Sequence, residues 1–593
     1  MGPVETDRLG AITLRLANRN ASKTDFMAED LTRIRISRVA ILIALAFIPI
    51  FPYLVLGYTG QDLPFHVCSW LDLKDGWRSG LLSPGWSAAA NYGRGDPHLT
   101  LYPPASNFLG AFLTVLLPLK LAPGAFAWIA LALSGLSMYF ASKPFLEERD
   151  RMAAAILYML GPYTITTSLI RFDAAELLVQ AWLPLIALYF YQAVWESDAS
   201  SGEASRPNRR ARILLAFLLG LSWITNIPAS IVLVYSLGTA AVLCAFLQRS
   251  VRPLFRIVLS EGLAAALATF YLFPVWKEQT WVHADALTRV KSLDLLLFMP
   301  HSSFDDSPLL IVCWIFLCAQ IVIVVACLRK RTLSFEADPA VAAWASVAAA
   351  SFLLQSPLAI PVWKYAPQLR FVQFPLRFLS ILGVALPLLL LSRGTRRSLR
   401  HPAYLLIALL STTPFLGYLS KQAIAVNRSP PLPALLASWR IQGTPEYLPV
   451  GSLRPIGPAN FPVISSVDAL NPLAVDPTCQ TIAEQQSSDL RIFRTHSLHS
   501  CRVRLTVYFY PYWRALDESN RPLGTLREST GLLLIDVPAG EHTITVTFRA
   551  VSELRTLSAI ISLITVLLLV AALVFDRRHT GSVSHQQDAR PIP

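Results

Sequence analysis

The chain has 593 residues, of which 54% are hydrophobic and only 15% charged. A soluble chain is about 25% charged, so this composition excludes a soluble multidomain protein and implies a polytopic membrane protein. Lys and Arg exceed Asp and Glu by 51 to 38, a net +13, but the cations fall in short runs between apolar stretches, which argues for helix orientation rather than nucleic-acid binding.

In chain order, stretches long enough to cross a bilayer occur at about 38–58, 123–142, 152–170, 174–194, 211–226, 227–248, 254–276, 308–328, 339–359, 376–392, 402–421 and 555–576. The apolar stretch 105–122 follows Tyr102-Pro103-Pro104 and contains Pro118 and Lys120, so it either crosses or lies along the interface. Loop charge arbitrates. If residues 1–37 are cytoplasmic and 105–122 does not cross, then Lys143/Arg149/Arg151, Arg209/Arg210/Arg212, Arg249/Arg252/Arg256, Arg329/Lys330/Arg331, Arg393/Arg396/Arg397/Arg400 and Arg577/Arg578 all face inward. If it crosses, every later basic loop flips outside. The expected fold is therefore an α-helical polytopic protein of about twelve crossings, with both termini cytoplasmic and an uncleaved first span. The transmembrane domain covers 38–421, the final helix 554–576 and the tail 577–593.

Two outer segments are long. The first outer loop, 59–122, is expected to carry juxtamembrane helices. The second, 422–553, contains the alternating runs Arg502–Tyr510 and His542–Phe548, and Gly531–Val537 leading to a Pro538-Ala539-Gly540 turn, which predicts an extracytoplasmic β-sandwich. Seven cysteines show no CxxC or Cys/His ligand spacing. Cys479 and Cys501 both fall in the outer β domain, where pairing and two free thiols are both open readings.

Charge at the outer face needs an explanation, because a bilayer protein hides charge at a cost. Asp62 emerges where the first span ends, with His66 one helical turn on; it suits a general base on an acceptor hydroxyl, or equally an N-cap with Pro64 in the first turn. Asp96 and His98 form a second pair, for a sugar or a divalent metal, or merely solvated loop polarity. Arg171 and Asp173 read as a surface ion pair. Arg370 and Arg377 flank Phe371–Leu376 at a span mouth, where guanidinium groups bind phosphate or snorkel to lipid headgroups.

The runs Gly60-Gln61-Asp62-Leu63-Pro64-Phe65-His66, Gly80–Trp86, Asn91–Pro97, Leu101-Tyr102-Pro103-Pro104, Gln373–Leu379, Glu446–Val450 and Tyr510–Ala515 together resemble a family of bacterial multi-pass membrane proteins labelled 6-pyruvoyl-tetrahydropterin synthase-related, with an architecture similar to GT-C glycosyltransferases. The pterin label finds no support in the residues, since His66, His98 and His283 are scattered and a pterin synthase needs a clustered three-histidine zinc site. The resemblance implies a GT-C-like fold in the bacterial cytoplasmic membrane, a polyprenyl-phosphate sugar donor, a glycan or protein acceptor, and Asp62 at the family's acidic position. Family members often carry His where this chain has Gln61, and the loop has no clear Asp-x-Asp, so a divalent metal is only a possibility.

Residues and resemblance together predict inverting transfer of a hexosyl or pentosyl group, with Asp62 as catalytic base and His66, Asp96, His98, Arg171, Lys364, Arg370 and Arg377 as substrate-binding residues. The competing classes are a transporter or flippase of a lipid-linked substrate, which requires midplane charge and paired broken helices, and a non-catalytic envelope scaffold.

Overall fold

The structure is a computed structural model. Its described residues are 36–51, 54, 60–195, 209–288, 339–391, 433–434, 436–437, 443–452, 473–474, 476 and 478–587.

Among them, Ala122–Ala141, Glu148–Arg171, Ile227–Gln248 and Glu553–Phe575 are helices long and apolar enough to cross a membrane. Three bent pairs pass the same test if each is one span: Ala174–Gln180 with Leu183–Val194, Arg252–Leu267 with Thr269–Trp281, and Pro339–Gln355 with Pro357–Tyr365, bent by 43°, 77° and 76°. Up to seven of the twelve expected crossings are thus long apolar helices. The last bend has a local cause: Ser356 is extended (φ −84°, ψ 160°), the conformation a following proline imposes. The stretches 308–328 and 402–421, and with them Cys313, Cys318 and Cys327, lie outside the described residues.

The segment 60–122 holds a short helix, His98–Leu101, and two helices of more than one turn, Leu63–Arg78 and Pro104–Leu116. The second has 13 residues, about 20 Å of helix, too short to cross a hydrocarbon core of about 30 Å. The two pack closely because Gly110 faces Trp70; a Cβ there would stand 2.0 Å from the indole.

Nine strands form two antiparallel sheets: β1 (Leu473–Ala474), β2 (Gln480–Ser487), β3 (Leu490–Ser497), β4 (Cys501–Tyr508), β5 (Trp513–Leu516), β6 (Pro522–Leu523), β7 (Thr525–Arg527), β8 (Leu532–Val537) and β9 (Gly540–Phe548). The orders are β1-β4-β8-β7 and β2-β3-β9-β5-β6. The two alternating runs, 502–510 and 542–548, fall on β4 and β9, the first running two residues past the end of β4, and 531–537, read from the turn that follows it, falls on β8. Phe493, Val503, Leu533, Ile535, Ile544 and Val546 fill the core. Cys479 and Cys501 are bonded to each other and tie the start of β2 in one sheet to the start of β4 in the other.

The segment 60–122 docks on this β domain. Trp86 is buried against Trp513 and Phe548, with ring centroids 5.4 and 5.1 Å apart, and the Gly85 amide donates to Asp489 Oδ2 at 3.2 Å. Burial outweighs the amides of Gly85 and Trp86 and pushes the Asp489 carboxyl up to about 6. A carboxyl raised in the folded state stabilises fully below its unfolded pKa, and that stability is lost as pH rises through about 6. Thermal melts of the detergent-purified protein should therefore show a lower melting temperature at alkaline than at mildly acidic pH, and Asp489→Asn should flatten the dependence. Parallel curves for the two proteins would remove Asp489 as its source.

A second joint couples the β domain to the helices. Glu278 ends the helix Thr269–Glu278 and takes Arg555 of the final helix at 2.8 Å (Nε to Oε1), while Tyr512 Oη donates to the same carboxylate. Removing one partner of a buried ion pair costs about 3–5 kcal/mol; Arg555 is 20% exposed, so Glu278→Ala should cost about 1–3 kcal/mol. Limited proteolysis should then cut the 549–552 connection faster than in the parent, and unchanged cleavage would show that the joint does not hold the domain.

Candidate functional site

One cavity of about 550 Å³ joins the 60–122 segment, the helix ends and the 443–452 segment. Asp62, His66, Arg171, Asp173, Asn226 and Arg377 line it, so residues dispersed over more than 300 positions meet at one place.

Local structure explains how. Asn226 caps the helix Ile227–Gln248 by accepting the Ala229 amide at 2.8 Å, and Asp173 caps Ala174–Gln180 by accepting the Glu176 amide at 3.0 Å. Immediately before Asp173, the chain makes a π-helical turn over Thr166–Arg171 that ends on Phe172 in the left-handed conformation (φ 50°). Wide turns of this kind re-aim the side chains that follow, and here Arg171 and Asp173 both face inward.

Asp62 sits at the N-cap position of Leu63–Arg78, yet its carboxylate makes no capping hydrogen bond. Its amide instead donates to the Arg171 carbonyl at 2.8 Å, which fixes the backbone and leaves the carboxylate at the cavity. That carboxylate is 42% exposed and 3.6 Å from the Arg171 guanidinium. Enclosure by the cavity walls raises its pKa, and the Arg171 charge opposes the shift without cancelling it. The capping alternative for Asp62 therefore holds for position only.

His66 does not pair with Asp62 as the one-turn spacing suggested. Its Nε2 lies 3.7 Å from Asp173 Oδ1, while Nδ1 is buried without a hydrogen-bond partner among the described residues. Nor are Arg171 and Asp173 a surface pair. Both are buried, Arg171 contacting Asp173 at 3.0 Å and Glu176 at 2.9 Å. Arg377 reaches the same two carboxylates, at 3.4 and 3.2 Å, and Tyr163 Oη donates to Glu176. Two guanidiniums thus face three carboxylates, Asp62, Asp173 and Glu176. Arg377 Nη1 is buried and has no hydrogen-bond partner among the described residues.

Four of the residues expected to bind substrate do not line the cavity. Lys364 and Arg370 are exposed, because both sit on the outer side of short helical turns, Ile360–Tyr365 and Pro367–Val372. Asp96 and His98 are buried and mutually satisfied instead of solvated: His98 Nδ1 lies 2.6 Å from Asp96 Oδ1, and Nε2 lies 3.0 Å from Ser69 Oγ. Burial lowers the His98 pKa, but the Asp96 carboxylate outweighs it, so the imidazole is held above its ordinary value. The pair clamps the loop to the helix Leu63–Arg78.

No group of three or more His, Cys, Asp or Glu side chains is placed to hold a divalent metal among the described residues, and Asp173 and Glu176 are committed to guanidiniums.

Sequence reasoning missed the aromatic wall. Phe65 stacks on Tyr447 with centroids 6.1 Å apart and meets Tyr102 edge-on at 4.9 Å, and all three line the cavity with Trp276 and Phe374. Phe65, Tyr102, Phe374 and Tyr447 fall inside the motif runs quoted above, which was the available signal, and Trp276 falls outside them.

No family model matches the chain. No curated protein matches it either. Among solved structures it is similar to the oligosaccharyltransferase of Archaeoglobus fulgidus. In the apo form the two share 14% identity over 72% of this chain and 61% of that one, with a TM-score of 0.40. The same enzyme, AglB, in complex with an inhibitory peptide and a dolichol-phosphate gives 14% identity, 73% and 63% coverage and a TM-score of 0.37. The chain thus spans about three fifths of the length of those structures. Likeness this distant leaves function to rest on the geometry of the cavity, and no family model supports the 6-pyruvoyl-tetrahydropterin synthase-related resemblance.

Proposed function

We propose that the chain is a membrane glycosyltransferase that moves a sugar from a polyprenyl-phosphate donor to an acceptor hydroxyl at the outer face of the cytoplasmic membrane. The observation that carries this reading is that an uncapped carboxylate, Asp62, and a buried guanidinium with an unpaired N–H, Arg377, line the same cavity.

The Asp62 carboxylate takes the proton of the acceptor hydroxyl as its oxygen attacks the anomeric carbon. The bond from that carbon to the phosphate oxygen breaks, and the polyprenyl phosphate leaves with the electron pair, giving inversion in one displacement. Arg377 Nη1, with Arg171 beside it, stabilises the charge that develops on the leaving phosphate. His66 Nδ1 supplies a further polar contact, and the aromatic wall of Phe65, Tyr102 and Tyr447 offers flat surfaces to sugar rings. In this reading Asp96 and His98 support the loop, and Lys364 and Arg370 take no part in the cavity. The domain boundaries and the inward orientation of both termini belong to the same proposal: with the basic loops cytoplasmic, the cavity opens outside.

The test is transfer by the purified protein from short-chain polyprenyl-phosphate sugars to sugar acceptors, followed across pH. The rate should rise with pH as Asp62 loses its proton, with a midpoint above the ordinary aspartate range because burial raises that pKa. A pH-independent rate through the acid range would remove Asp62 as the base.

A further inference from the structure

The turn before Arg377 has a conformation that side chains rarely adopt. Gln373 lies at φ +63°, ψ −54°, and the Phe374 amide donates across it to the Val372 carbonyl at 2.7 Å. This is a three-residue turn of the rare, strained kind. Strain of this sort costs of order 1–3 kcal/mol and persists only where the surroundings over-determine it, often at ligand sites. On the other side, Pro375 restricts Phe374 to extended backbone, and Phe374 is found at φ −116°, ψ 110°. The backbone of Phe374 is thus fixed from both directions.

Its ring lies against both cationic groups of the cavity. The Arg171 guanidinium carbon lies 5.7 Å from the ring centroid and that of Arg377 lies 5.8 Å from it. Asp173 and Glu176 draw both guanidiniums from one side; the negative face of the ring attracts them from another. Without the ring, Arg377 loses an attraction that competes with the two carboxylates it already contacts, and its Nη1, which has no hydrogen-bond partner among the described residues, would turn onto one of them.

We infer that Phe374 is a positioning residue: held by the strained Gln373 turn and Pro375, its ring holds the Arg171 and Arg377 guanidiniums in place so that an Arg377 N–H stays available to an anionic group in the cavity. The inference rests on the proposed phosphate-binding role of Arg377 and adds a residue that the sequence pattern alone does not single out. Phe374 acts through the arginines.

The test uses two substitutions, Phe374→Leu, which keeps bulk but removes the π face, and Phe374→Tyr, which keeps it. Farnesyl phosphate is the probe, titrated calorimetrically into the full-length protein in detergent. Phe374→Leu should weaken binding about tenfold, and Phe374→Tyr should stay within about twofold of the parent. A cryo-electron microscopy map of ligand-free Phe374→Leu should show Arg377 Nη1 turned onto Asp173 or Glu176. If Arg377 is unmoved in that map, or if Leu binds the probe as well as Phe does, the positioning role is overturned. If Arg377 moves but the parent does not bind farnesyl phosphate, the positioning role stands and the phosphate reading fails. If Phe374→Leu does not fold, Gln373→Pro, which cannot adopt a positive φ, takes its place in both measurements: weaker binding with Arg377 turned supports the role, and unchanged binding or an unmoved Arg377 overturns it.

Discussion

Asp62→Asn should lower sugar transfer by at least about 10²-fold, the contribution expected of a positioned general base, while leaving the protein folded. Asparagine has nearly the shape of aspartate but cannot accept the acceptor's proton. The fold should not notice, because the Asp62 side chain caps nothing, is 42% exposed and makes one ion pair at 3.6 Å. Such a pair is worth about 0–1 kcal/mol. The measurement is the initial rate of the purified variant beside its melting temperature. A slow and equally stable variant supports the base; a fast one contradicts it, and an unstable one would mean that the Arg171 contact matters more than its length suggests.

The largest loss of stability is expected at Arg377. It is buried and contacts both Asp173 and Glu176. Arg377→Met keeps the apolar stem but leaves Arg171 alone against three carboxylates. Breaking a buried ion pair by deleting one partner costs about 3–5 kcal/mol, because the remaining charge has lost its compensation. Adding Glu176→Gln to Arg377→Met should restore much of that stability without restoring transfer, since the phosphate contact stays absent. Thermal unfolding of the single and double variants decides it. Arg370→Ala is the control: Arg370 is exposed and outside the cavity lining, so neither stability nor transfer should change. If Arg370→Ala reduces transfer as far as Arg377→Met does, the phosphate lies at the span mouth and not in the cavity.

Much of this was legible in the chain because the cues were local. Apolar length marked the long helices, alternation marked β4 and β9, a following turn marked β8, and the run of basic loops singled out a small set of outer-face residues. Asp62, His66, Arg171, Asp173 and Arg377 in that set do converge. Pairing was not legible, because side-chain partners depend on turns that sequence periodicity does not encode. A π-helical turn sends Arg171 and Asp173 inward, where a regular helix end would have left them at the surface. His66 follows Asp62 by four residues but faces Asp173, which comes from a different helix. Arg370 and Arg377 look equivalent as a pair; the Gln373 turn between them puts one outside and the other in the cavity. Asp96 and His98 read as exposed because their loop is polar, and are buried because Trp86 and Gly85 dock that loop on the β domain.

The three functional classes also separate on this geometry. A scaffold has no use for a cavity that joins an uncapped carboxylate to a buried guanidinium. A flippase gains from broken helices, three of which are present, but has no need of Asp62 as a base. Its transport would survive Asp62→Asn, whereas glycosyl transfer would not.

The most direct measurement is a cryo-electron microscopy structure of the full chain with decaprenyl phosphate. The phosphate is expected in the cavity within hydrogen-bonding distance of Arg377 Nη1, with Asp62 facing the open space beside it. A phosphate bound instead at Lys364 and Arg370 on the exterior, with the cavity unoccupied, would contradict the assignment.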